Sequence, residues 1–216
     1  MSENITPSTE LDLDAWLATG ERTTHSVNLY ARMDLIAEID RLEAQRVEVE
    51  EVPEGEESLA GVHNPNAELD ARINDLYRII DQSKRVFRVT ALTDEEAEEI
   101  RKEVLTDLST DIDEAARFGR EEALKSAKRM GVTDPKDRNA MARVGAKDFT
   151  DKLISREVAL RMIAKSSAMQ HGETYIPLSV EQARTLYEKL GEAQTGQLAN
   201  AARKAKDEAP QVNVPK

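Results

Sequence analysis

The 216-residue chain contains no cysteine. Disulfides, thiolate metal sites and a cysteine nucleophile are therefore excluded, and a reducing compartment is permitted. Aromatic residues are scarce: one tryptophan, Trp16, with three phenylalanines and four tyrosines. Beside 39% hydrophobic and 33% charged residues, so thin an aromatic supply suits a helix-rich chain with narrow apolar seams better than an enzyme with a large core. No apolar run approaches the ~20 residues needed to span a bilayer. The opening MSENITPSTELDLD is acidic and polar, unlike a secretory signal. Phosphate-loop, dinucleotide, zinc-protease and nucleophile-elbow motifs are all missing, and His25, His63 and His171 are far apart in sequence. Carboxylates are too frequent here for a pair of them to indicate acid–base catalysis. The expectation is a protein that is not an enzyme and carries no cofactor or metal. Positive charge is also in deficit: 30 Lys and Arg against 42 Asp and Glu leave a net charge of -12. Such a field repels a phosphate backbone unless bases are segregated on one patch.

What is present centres on residues 25–92. Residues 24–31 alternate, with His25, Val27, Leu29 and Ala31 on one side, as in a half-buried strand. His25 reads as an ordinary strand residue. Leu35, Ile39, Leu42, Arg46 and Val49 then step by 4, 3, 4 and 3, predicting a helix over 34–52 capped by Asp34. Leu69, Ile73, Leu76 and Ile80 repeat that spacing in a second helix over 66–84. Between them, Glu48, Glu50, Glu51, Glu54, Glu56 and Glu57 crowd a Gly- and Pro-bearing loop without the D-x-D-x-D-G order of a calcium site. A solvated tip is the reading. Two helices of matched length return the chain to its start, so RVFRVTAL at 85–92 is expected to pair antiparallel with the first strand. The result is a βααβ unit with a coiled-coil arm. A lone two-stranded ribbon is marginal and needs a cover.

The flanks are predicted to be helical. Residues 11–18 can form a short helix closed by Gly20, in which Trp16 and Leu17 dock on the body or, alternatively, offer an anchor to a partner. Docking is preferred, as aromatic side chains are commonly buried. Thr93 with Glu96 is a capping box, and its dense carboxylates suit a helix's first turn. Thr110 is expected to start a further helix after a break, Gly131 to end it, and Asp134-Pro135 to open a long helix running to about Gln170. His171-Gly172 closes that helix, and 175–178 read as an extended connector. Ser179 with Gln182 caps the last helix, with a bend expected near Gly191 and Gly196. The fold class is thus mainly α with a small antiparallel two-stranded β element. Its parts are a tail and short helix (1–23), the βααβ unit (24–92), a helical domain (93–206) and a disordered tail (207–216).

Three stretches resemble a known family: DLDAWLATGERTTHSVNLYARMDLIAEIDRLEAQ, then KRVFRVTALTDEEAEEI, and finally PLSVEQARTLYEKLGEAQTGQLANAARKAKDE. Their order and phrasing are similar to tail assembly chaperones of long-tailed bacteriophages, especially those of actinobacterial hosts. Residues 106–170 are more basic and more continuously helical than that pattern. The resemblance implies a non-enzymatic protein of the host cytoplasm, absent from the mature virion. It would bind the tape measure protein, and tail tube subunits as well, and keep that long helical chain soluble during assembly. This chain would match the shorter of two frameshift-related forms. Leu35, Ile39, Leu42, Ile73, Leu76 and Ile80 are the candidate partner-binding residues, against the alternative that the two arm helices satisfy each other. Self-association is a further expectation. The rivals are a structural virion or head–tail component, a coiled-coil adaptor, and a nucleic-acid-associated factor using the basic face of residues 143–165 with Lys147, Lys152, Arg156, Arg161 and Lys165.

Overall fold

A computed structural model describes residues 20, 22–47 and 65–208. The expectations for residues 11–18 with Trp16, the acidic loop with His63, and the tail from 209 lie outside the described residues. The described chain is 71% helical, with six helices and one four-stranded antiparallel sheet.

Strands β1 (Thr24–Tyr30) and β2 (Lys84–Thr90) pair antiparallel, with Val27 opposite Phe87. They are not alone, as the two-stranded reading had it. The segment expected to continue the long helix and then to connect is a hairpin, β3 (Ser167–His171) and β4 (Thr174–Pro177), and the sheet order is β1-β2-β3-β4. Met169 sits opposite both Phe87 and Ile176. The two-residue turn has Gly172 first, at φ 61°, as type II′ turns favour. Pro177 is tolerated because β4 is an edge strand.

Between β1 and β2 lies the arm. A 3₁₀ turn, Met33–Leu35, leads into α1 (Ile36–Glu43), which packs on α2 (Ala67–Gln82). The matched lengths expected are corrected: α1 has 8 residues and α2 has 16. Helix α1 stops early because the side chain of Asn66 accepts from the Val47 N–H and donates to the Val47 carbonyl, both at 3.0 Å. Arg46 turns away to pair with Asp70. Asp34 is no cap either. It lies inside the 3₁₀ turn and binds the Arg32 guanidinium at 3.0 and 3.1 Å.

Beyond β2 come α3 (Asp94–Asp107), α4 (Ser109–Arg129) and α5 (Pro135–Ser166); α6 (Val180–Asp207) follows β4. Thr93/Glu96 and Ser179/Gln182 form reciprocal capping boxes, and the Asp134 side chain accepts from the Lys136 amide. The break at Leu108 occurs as expected, but Thr110 does not cap α4, which has no side-chain cap. Helix α6 bends at Gly191, whose carbonyl accepts from the Thr195 hydroxyl at 2.9 Å.

The main core lies between one face of the sheet and the two long helices. Leu29, Phe87 and Val89 meet Ile163 and Ala164 of α5 and Ala183, Leu198 and Ala201 of α6. That is the cover which the ribbon required, and it joins the βααβ unit to the helical half through one sheet and one core.

Candidate functional site

Periodic apolar positions on two helices seek a common seam, and the arm shows the result. Ile39, Ile73, Leu76 and Ile80 are buried against one another, with Leu35 and Leu42 partly buried at the margin. The six candidate partner residues therefore come together as the arm's own core. Tyr77 and Ile79 flank that stripe on α2 and stay exposed, as does Met33 of the 3₁₀ turn. Arg72 with Glu38, and Arg46 with Asp70, pin the outer edges of the two helices.

A second helical hairpin, α4 with α5, was not anticipated as an arm. Its signal is a set of small residues in register. Gly119 and Gly145 face each other so closely that a Cβ on either would strike the other's carbonyl oxygen. Ala127, Ala142 and Ala146 are buried in the same hairpin. Small side chains let the backbones approach, leaving large apolar ones outside. Phe118 is half exposed and meets Phe149 edge-on at 5.2 Å. Val144 of α5 is exposed, and so are Met130 at the hairpin end and Leu105 on α3.

Four of the bases between residues 143 and 165 are engaged by side chains of the body. Lys147 pairs with Asp151 at 2.6 Å and Lys152 with Asp148 at 2.8 Å. Arg161 binds Asp107 at 2.8 Å, and Arg156 lies over the Tyr187 ring. His25 is half-buried in β1, and His171 is exposed at the end of β3. Among the described residues no group of three or more His, Cys, Asp or Glu could hold a metal ion, and no helix is long and apolar enough to cross a membrane.

The ionised groups instead lock the helices together. The buried Glu157 on α5 accepts from Arg184 of α6 at 2.8 Å. The Glu96 carboxylate accepts from the Thr93 N–H at 2.9 Å and from Arg22 at 2.7 Å, which holds its pKa below the ordinary carboxylate range. Lys206 is raised by its hydrogen bond to Asp94, which ties the end of α6 to the start of α3. The arrangement offers apolar side chains on two helical arms and a rigid, ion-paired base. No family model, no curated protein and no solved structure matches the chain.

Proposed function

We propose that the protein is a non-enzymatic assembly chaperone of the long-tailed bacteriophage kind. It binds the tape measure protein and keeps it soluble in the host cytoplasm while tail tube subunits polymerise around it. The observation that carries this reading is the pair of helical hairpins, each internally satisfied yet bearing exposed large apolar residues: Tyr77 and Ile79 on one, Phe118 and Val144 on the other. A long helical client presents apolar stripes that aggregate when bare, and helix-on-groove contact is the economical way to cover them. The net charge of -12 keeps such a complex dispersed.

Because the seam residues of the first arm are committed to each other, client contact is assigned to the outer residues. Replacing Tyr77 and Ile79, or Phe118 and Val144, by serine is expected to weaken capture of the co-expressed tape measure protein while leaving the helical content unchanged. Full capture by the quadruple variant would remove this assignment. Quantitative proteomics of purified virions separates the structural-component reading, which requires the chain there in stoichiometric amount.

A further inference from the structure

Strand β1 lies at one edge of the sheet, beside β2 alone. In an antiparallel ladder, alternate residues turn their N–H and C=O to the neighbouring strand and the rest turn them outward. The Thr23 carbonyl accepts from the Ala91 N–H, so Thr23, His25, Val27 and Leu29 face β2. Tyr30 faces outward and is closed by Gln194 of α6. Ser26 and Asn28 face outward too, and among the described residues nothing hydrogen-bonds to their main chain. Both are exposed. The opposite edge, β4, has four residues and ends in Pro177, a short and donor-poor edge that resists pairing.

A groove of about 570 Å³ runs beside the open stretch, between β1 and α6. That lies within the roughly 300–1,000 Å³ of ligand sites. Its α6 wall presents Gln197, Asn200, Arg203 and Lys204. The Arg203 guanidinium donates to Asn200 Oδ1 at 3.0 Å, and among the described residues no carboxylate pairs with Arg203 or Lys204. In a chain of net charge -12, two bases without acids beside two open main-chain positions favour an acidic partner. Val27 and Leu29 turn their side chains to the core that α6 shares. A strand laid along β1 would therefore point every second side chain at the α6 wall.

We propose that an extended, carboxylate-rich segment of another protein adds antiparallel to β1 as a fifth strand. The residues opposite Ser26 and Asn28 exchange main-chain hydrogen bonds with them. The residue between, opposite Val27, sends a carboxylate toward Arg203 and Lys204. Main-chain bonds supply the affinity and the bases supply the selectivity. Gln194 sets where the added strand stops, because it already occupies Tyr30. The site uses none of the outer arm residues and stands independently of the chaperone reading.

The probe is a fluorescein-labelled octapeptide alternating glutamate and valine, titrated with the full-length chain and read by anisotropy. Binding is expected, with a lysine–valine peptide several-fold weaker. Antiparallel pairing turns the valine amides to β1 and the glutamate amides to solvent. N-methylation of the valines should therefore weaken binding roughly ten-fold or more, whereas N-methylation of the glutamates should leave it. Asn28→Pro deletes an outward N–H without touching the ladder to β2. It should weaken binding to a similar extent, with unchanged far-ultraviolet circular dichroism. Arg203→Glu with Lys204→Glu, both exposed on α6, should reverse the preference between the two peptides, and keeps the test valid where the proline variant fails to fold. No binding by the wild-type chain, or equal binding of the two peptides, overturns the proposal. So does binding that survives methylation of the valine amides, which would be charge attraction alone.

Discussion

The side-chain amide of Gln194 accepts from the main-chain N–H of Tyr30 at 3.0 Å and donates to the Tyr30 carbonyl at 2.9 Å. It occupies the place of a neighbouring strand's backbone at the end of β1, an edge strand whose one sheet neighbour is β2. Unpaired edge groups invite other chains to add on, and one glutamine closes this end. Gln194→Ala removes both bonds. It is expected to cost about 1–3 kcal/mol in urea unfolding and to increase self-association in sedimentation velocity. Gln194→Glu should cost at least as much, because a carboxylate accepts but cannot donate to the carbonyl.

The contact between Gly119 and Gly145 makes opposite predictions for two Gly→Ala changes. In an open helix interior alanine is favoured by about 1 kcal/mol. At Gly196 nothing lies within 4 Å of an added Cβ, so Gly196→Ala should raise the melting temperature. At Gly119 the added carbon meets backbone, which cannot swing aside. Gly119→Ala should therefore lower stability, by roughly 1–3 kcal/mol on the scale of overpacked cores, with faster hydrogen exchange along α4 and the first half of α5.

The Glu157–Arg184 pair is asymmetric. The glutamate side chain is 9% exposed and the arginine 38%. Truncating the arginine strands a carboxylate among buried neighbours, whereas truncating the glutamate leaves a guanidinium that water can reach. Arg184→Met is expected to cost about 3 kcal/mol. Glu157→Gln, which keeps an acceptor for Arg184, should cost about 1 kcal/mol. Equal losses in thermal unfolding would show that the pair is not desolvated as described.

Glu96 gives the acid limb of stability. Its folded pKa lies below its unfolded one, first through the Thr93 amide and then through Arg22. Its contribution is thus complete above the ordinary glutamate value of about 4.3 and is lost as pH falls through the lower folded value. Glu96→Gln should flatten this part of the stability–pH profile. Thr93→Ala removes the cap hydroxyl and should cost about 1 kcal/mol at neutral pH.

What was legible in the sequence was local. Both capping boxes, the Asp134-Pro135 start and the bend at Gly191 are written in residues a few positions apart, and β1 shows in its alternation. The end of α1 was hidden because the heptad spacing runs on through Arg46 and Val49, while Asn66, far along the chain, takes the Val47 backbone. Strand β3 was hidden because SAMQH has no β-branched residue and prolongs a helical stripe. Its conformation is imposed by pairing with β2 across about 80 positions. The mutual burial of Ile39, Ile73, Leu76 and Ile80 could be weighed from spacing, but the outer Tyr77 and Ile79 emerged only once the seam was closed. The second arm left a fainter trace still, since glycine and alanine carry no hydrophobic periodicity.

The proposed role of this chain is to keep a long helical partner soluble. The most direct measurement is the soluble fraction of a bacteriophage tape measure protein expressed alone, with the wild-type chain, and with the variant serine-substituted at Tyr77, Ile79, Phe118 and Val144. A soluble complex with the wild-type chain, recovered at low and high salt, and aggregation in the other two cases are expected. A tape measure protein equally soluble in all three would contradict it.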